Sequence, residues 1–404
     1  MGAPAHVTHR TEKPTGYDDL TLPFIVFGAP DIADDEIREV LATMQSGWLG
    51  TGPRVAAFEA QFAAFKGLAP EQVAAVNSCS AALHLSLLAA GIEQGDEVIT
   101  TPLTFCATAN AILHVGATPV LVDIDPLTMN IDPAEIEKKI TSRTKALLPV
   151  HFAGLPCAMD EIIDIATRHR LNVIEDCAHA VEATYRGRAA GTMGDFGCFS
   201  FYATKNVTTG EGGMVLARDP EPISRVRRMA LHGMTRDAWK RFSADGYKHY
   251  QVVELGFKYN MMDLQAAIGI HQLKRVERAW ERRKAIWQRY QTALSGLPVI
   301  CPNEPPVHVR HGYHLYTLLI DEARCGISRD VFMGQMAAQG IGVGVHYLAL
   351  PEHPYYQQHL GWHPDDTPYA TAIGRQTVSL PLSPGLTDDE VERVIKAVVE
   401  ALAN

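Results

Sequence analysis

Residues 196–217 read FGCFSFYATKNVTTGEGGMVLA. Two apolar runs, 196–201 and 213–217, frame Lys205, which is followed by Asn206, two threonines and a glycine cluster, with Glu211 as the one carboxylate of the segment. Short apolar runs bounded in this way read as buried strands. The same signature recurs upstream in AAVN (74–77), EVIT (97–100), PVLVDID (119–125), KALLPVHF (145–152) and LNVIED (171–176), with helical stretches between them. Seven such runs alternating with helices predict an α/β fold: a mostly parallel seven-stranded sheet with helices on both faces. In open sheets of this kind, ligands gather at the carboxyl ends of the strands. Those ends carry Asn77 to Ser80, Thr101 to Phe105, Asp123 to Asp125, His151, Asp176 with His179, and Ser200 with Lys205.

The flanks complete the organisation. Residues 31–45 and 54–65 read as helices separated by the turn SGWLGTGP (46–53). Beyond the sheet, one long charged helix is expected around 263–290, followed by a strand signal in YHLYTLLID (313–321), a helix over 328–339 and a last one over 388–402. This predicts an N-terminal arm (1–23), a large domain (24–262), and a long connecting helix with a smaller C-terminal α/β domain (263–404). Two uncharged stretches, 73–92 and 100–122, approach the length of a membrane span, but Gly, Asn, Ser and Pro punctuate them at strand-to-helix positions.

The chain has 404 residues, 47% hydrophobic and 20% charged, with a formal net charge of −10. No overall basic field would attract nucleic acid or an anionic membrane, so a bound phosphate must be gripped locally. The seven cysteines are scattered and never spaced C-x-x-C, a usage that fits reduced packing cysteines and argues against a disulfide framework or a metal site. A cytoplasmic location is expected.

Lys205 just beyond an apolar strand is a candidate for an amine withdrawn from water, able to attack a carbonyl. Asp176 ends another strand, with His179 three residues on. The Asn77-Ser78-Cys79-Ser80 turn opens a helical run, so hydroxyls and unpaired N–H groups would converge on one point, a sound seat for a phosphate. Phe105 follows the next strand and could lie flat on a heteroaromatic ring. A lysine for a Schiff base, a carboxylate for a pyridine nitrogen, a phosphate seat and a stacking ring are the parts that pyridoxal 5'-phosphate (PLP) requires.

These residues carry a resemblance. SGWLGTGPRVAAFE (46–59), the run 77–112 from NSCSAALHL to ATANAI, VIEDCAHA (173–180), FSFYATKN (199–206), TTGEGG (208–213), QAAIG (265–269), VHY (345–347) and PYY (354–356) occur in the order seen in the DegT/StrS family. The chain resembles these fold-type I PLP-dependent nucleotide-sugar aminotransferases from residue 24 to its end. The resemblance implies that Lys205 binds PLP covalently and moves protons, and that Asp176 pairs with the pyridine nitrogen. It implies further that Phe105 covers one ring face, that Ser78, Cys79, Ser80 and Ser200 hold the phosphate, and that His179, a position more often Gln, touches the ring or its phenolic oxygen. His232, Arg236, Tyr313, His314, His346, Tyr347 and Tyr356 lie in segments that line the substrate entrance in the family.

One departure concerns the dimer. The family pattern G-Y-N-Y-R stands here as Gly256-Phe257-Lys258-Tyr259-Asn260, so Lys258 or Asn260 replaces the asparagine that reaches the neighbouring subunit's phosphate. A homodimer with shared sites is implied. TTGEGG and RCGISRD (324–330) resemble members that aminate C-4, most closely the group acting on UDP-4-keto-L-arabinose. The expected reaction is transfer from L-glutamate, with 2-oxoglutarate as product, to C-4 of a nucleotide-linked, UDP-type 4-keto sugar. The alternatives are a C-3 keto-sugar or keto-cyclitol aminotransferase, and a non-catalytic regulator on the PLP fold. Retention of Lys205 and Asp176 disfavours the regulator, and the lack of G-x-G-x-x-G disfavours a nicotinamide enzyme.

Overall fold

The computed structural model describes residues 23–235 and 250–403. Most of the expected N-terminal arm, and Arg236, lie outside the described residues. The expected strands form one sheet: β1 (Val73–Val76), β2 (Glu97–Thr100), β3 (Thr118–Leu121), β4 (Thr144–Leu148), β5 (Asn172–Asp176), β6 (Phe196–Ser200) and β7 (Gly213–Ala217). Their spatial order is β1-β7-β6-β5-β4-β2-β3. Every neighbouring pair is parallel except those made by β7, which runs antiparallel to both β1 and β6.

Alternation along the strands explains how both faces are covered, because successive side chains point to opposite sides. Cys198 and Val215 pack on one face with Leu83, Leu85 and Val226, whereas Phe199, Met214 and Leu216 pack on the other with Phe58, Phe62 and Ile270. The first face is covered by α3 (Cys79–Ala89) and, beyond α5 (Met159–His169) in the chain, by α6 (Pro220–Met229); the second is covered by α2 (Pro53–Lys66) and α7 (Asp263–Lys274). Asp263 is fully buried and accepts from the N–H groups of Gly52, Arg54 and Val55, which caps α2 and fixes the SGWLGTGP turn. Preceding this turn, α1 (Asp34–Ser46) packs against α7. The two uncharged stretches are each divided between a strand and a helix. Among the described residues, no helix is long and apolar enough to cross a membrane.

The single helix expected over 263–290 is two. Arg275 leaves helical geometry (φ −109°, ψ 10°) and starts α8 (Val276–Leu294) in a new direction. The cause is tertiary: Arg275 Nε donates to the buried Glu36 at 2.9 Å, and its guanidinium also pairs with Asp31. Val276 still packs with the large sheet's core, while Ile286, Trp287 and Tyr290 join a separate core around β8 (Tyr316–Leu319) and β9 (Thr377–Leu380), an antiparallel pair. The helices α9 (Arg329–Ala338) and α10 (Asp388–Ala403) close this smaller layer through Phe332, Val391 and Val394.

Candidate active site

The carboxyl ends of β1, β5 and β6 bring the candidate residues together. Lys205 follows β6 on a tight turn, where its own N–H donates to Tyr202 O at 2.9 Å. Burial lowers the pKa of its amine to about 8, although Cys79 and Asp176 nearby act in the opposite direction. Asp176, the last residue of β5, is 4% exposed. Its carboxylate accepts from Thr108 Oγ1 at 2.9 Å and from Ala178 N at 3.1 Å. Burial nonetheless pushes its pKa above the usual carboxylate range, outweighing these hydrogen bonds and the Lys205 charge.

At the N-terminus of α3, Ser78 is the cap: its hydroxyl accepts from Ala81 N at 3.1 Å. The amides of Cys79 and Ser80 are the first-turn donors left for a ligand. The GEGG turn has a steric reason for its final glycine. A Cβ on Gly213 would lie 2.4 Å from Ser78 O, so β7 can pass beneath this helix end only with glycine there. Ser200, buried, faces Gly213 across the β6–β7 pair and accepts from Tyr202 N at 3.3 Å. Phe105 is 58% exposed, an apolar ring left open at the start of α4 (Ala107–His114) and 6.0 Å from the Tyr347 ring.

Three histidines stand beside this group. His179 accepts from Ala153 N through Nδ1 (3.3 Å), which leaves the proton on Nε2, 3.0 Å from the Tyr347 hydroxyl. Burial, with the Lys205 charge second, holds His179 well below the usual histidine range, so the ring is neutral. The His314 ring lies 4.3 Å from it. His346 contacts Phe27 and bonds Ser379 Oγ at 2.9 Å, and burial lowers its pKa to about 3.

Other expected residues fall elsewhere. Tyr313 is packed between Trp280 and Trp287 in the smaller core. Tyr356 donates to Asn110 Oδ1 at 2.8 Å and so braces α4, the helix that Phe105 precedes. His232 sits on a turn after α6, where its N–H bonds Phe257 O. Lys258 Nζ donates to Asn260 Oδ1 (2.7 Å), and Asn260 Nδ2 to Thr51 Oγ1 (2.6 Å). Their segment lies against the Asn77–Ser80 turn of the same chain, since Asn77 N donates to Tyr259 O at 2.7 Å.

Sequence reasoning missed Thr108, whose signal was its place in the first turn of α4, and it missed the support behind Asp176. Glu175, buried and adjacent to Asp176, accepts from His151 Nε2 and from the N–H groups of Gly191, Met193 and Gly194. His151, Glu175 and Cys177 come close enough to share an ion. Glu175 is already engaged by these four donors, and His151 Nδ1 accepts from Cys157 N, so the cluster holds β5 in place.

A half-buried lysine, a buried carboxylate and a helix N-terminus converging at strand ends define a Schiff-base enzyme site on an α/β sheet. Comparison with known proteins carries this further. The model of the DegT/DnrJ/EryC1/StrS aminotransferase family matches residues 30–399. The spore coat polysaccharide biosynthesis protein SpsC of Bacillus subtilis (strain 168) is 49% identical over 378 residues, covering 93% of this chain and 96% of that protein. The aminotransferase TlmJ from Streptoalloteichus hindustanus superposes with a TM-score of 0.86 at 35% identity, over 94% of this chain and 99% of its own. Spr1654 from Streptococcus pneumoniae, solved in its PLP form, gives 0.86 at 32% identity, over 94% and 99% of the two chains; a PMP form is also solved. The chain belongs to the DegT/DnrJ/EryC1/StrS family and is a PLP-dependent sugar aminotransferase of fold type I. The donor set fits the cofactor: an amine near neutrality, an acid short of a cation, two helix-end N–H groups and an exposed ring.

Proposed function

We propose that the protein transfers the amino group of L-glutamate to C-4 of a nucleotide-linked 4-keto sugar, with UDP as the nucleotide. The observation that carries the aminotransfer is the half-buried Lys205, its amine pKa lowered to about 8, beside the buried Asp176 carboxylate. The sugar class rests on the family, and C-4 on the TTGEGG and RCGISRD resemblance. When bound, PLP supplies an electron sink and an aldehyde carbon that carries the amine between substrates. Asp176 would hold the pyridine nitrogen's proton by charge pairing. Cys79 and Ser80 would grip the phosphate through their N–H groups with Ser200 beside them, and Phe105 would cover one ring face. Lys205 Nζ would take the proton from the donor's Cα; an amine titrating near 8 is unprotonated often enough at neutral pH to do so. His179 and Tyr347 would border the ring's polar edge.

The working unit of this reading is a cytoplasmic homodimer. The exposed apolar side chains of Leu41, Met44, Trp48, Leu49 and Met262 support it, as does the position of Lys258 and Asn260 next to the phosphate seat. Incubation with glutamate and a panel of UDP-, GDP- and dTDP-linked 3-keto and 4-keto sugars tests the substrate, with the new amine located by NMR. An amine at C-3, or turnover only with a keto-cyclitol, overturns the C-4 assignment and leaves the aminotransferase intact.

A further inference from the structure

Asn206, next to Lys205, is held on three sides. Its Nδ2 donates to Glu182 Oε2 at 2.8 Å and to Gly312 O at 2.9 Å, while its Oδ1 lies 2.9 Å from His314 Nδ1. Both amide hydrogens therefore meet oxygens that can only accept, and Oδ1 is obliged to face the histidine. His314 Nδ1 must then be the donor. Glu182 is 2% exposed, and its second oxygen accepts from the guanidinium of Arg283, itself 1% exposed. Arg283 Nε donates to Tyr313 O at 3.2 Å. Its remaining Nη1 has no partner among the described residues, and Arg283 lines a narrow cavity with Lys205, Asn206 and Arg275. Hydrogen-bond polarity thus runs one way from a permanent cation on α8 to the imidazole beside His179, the two rings tilted by 35°.

Burial holds His314 far below the usual histidine range, with the Lys205 charge adding to the effect, so the ring carries one proton. With Nδ1 protonated, Nε2 is a bare lone pair. It has no hydrogen-bond partner among the described residues.

We propose that Glu182 is a positioning residue: clamped by Arg283, it sets the Asn206 amide so that His314 presents Nε2 as a hydrogen-bond acceptor for a hydroxyl or amine of the acceptor sugar. This rests on the aminotransfer reading for its substrate, but the proton arrangement stands on the protein alone. Glu182→Gln breaks the polarity with little change in shape. Either the new NH2 faces Arg283, donor against donor, or Asn206 turns over and opposes its oxygen to Gly312 O; in the second arrangement the His314 proton moves to Nε2. Adding Asn206→Asp supplies an acceptor toward both the introduced amide and His314, and so returns the proton to Nδ1.

Neutron diffraction from deuterated, cofactor-free crystals reads these positions directly. The expected result is deuterium on Nδ1 and none on Nε2 of His314 in the parent, a redistribution in Glu182→Gln, and its reversal in the double variant. Steady-state kinetics should show KM for the acceptor sugar raised about tenfold in Glu182→Gln, the loss of roughly one hydrogen bond to a neutral group, with a smaller change in kcat. The double variant should recover part of that KM. Deuterium on Nε2 in the parent, or an acceptor KM unmoved by Glu182→Gln, overturns the proposal. The parent crystal is decisive even if the variants fold poorly. Failure to find any amine acceptor would count against the aminotransfer reading and leave the diffraction result to be judged separately.

Discussion

The hydroxyl of Tyr347 lies 3.0 Å from Nε2 of His179, and their rings are stacked within 17° of parallel. Since Ala153 N occupies Nδ1 of His179, Nε2–H is the donor of this pair, and the Tyr347 proton is left to point at whatever the site binds. Removing the hydroxyl strands a buried N–H. Tyr347→Phe should therefore lower the stability of the cofactor-free protein by about 1–3 kcal/mol in denaturant unfolding. His179→Gln, which can accept from Ala153 and donate to Tyr347, should cost much less. Equal losses in both variants would show that packing, not the hydrogen bond, is what matters at this position.

The amine of Lys205 has a pH signature. Its pKa in the folded protein, about 8, is below the ordinary 10.5 because burial disfavours the ammonium. Between these values the unfolded chain binds more protons than the folded one, so this group makes stability rise with pH across the window. Below pH 8 its burial cost is fully present. Lys205→Met should accordingly be more stable than the parent at pH 7, by up to about 3 kcal/mol, with the gap closing toward pH 10.5. Urea unfolding of both cofactor-free proteins at pH 7 and pH 10 measures it, and a gap independent of pH would place the amine in water.

Asp176→Asn keeps the shape and the Thr108 contact but cannot hold a positive charge on the pyridine nitrogen. The expected outcome is a protein that still takes up PLP, detected by visible absorption, with kcat lowered by about 10²–10⁴-fold. Turnover close to the parent's would remove Asp176 from the chemistry.

Lys258 and Asn260 are bonded to each other, and their segment bonds the Asn77–Ser80 turn of their own chain. If they complete the partner subunit's site in a dimer, mixing Lys205→Ala subunits with Lys258→Ala/Asn260→Ala subunits should restore activity through one intact hybrid site, about a quarter of the parent's under random exchange. No recovery, with exchange verified by mass, would confine these residues to their own subunit.

Much of this site was legible in the sequence because strand ends are local features. Short apolar runs, broken by Gly and polar residues, located all seven strands, and Lys205, Asp176, Ser78 to Ser80 and Phe105 stand at fixed offsets from them. Gly213 was legible as a glycine, but its reason, the Ser78 carbonyl above it, was not. Period and propensity say nothing about partners distant in the chain. The helix break at Arg275 depends on Asp31 and Glu36, more than 200 residues away, which outweigh an uninterrupted helical pattern. Tyr313 read as an entrance residue because of its neighbours, and only tertiary packing turned it between two tryptophans while directing His314 onto His179. The line from Arg283 through Glu182 and Asn206 to His314 joins four separate segments of chain. The sequence determined which groups exist and which strand ends bear them, whereas the fold decided which hydrogen meets which lone pair, because that depends on distances of a few ångströms between residues the chain order keeps apart.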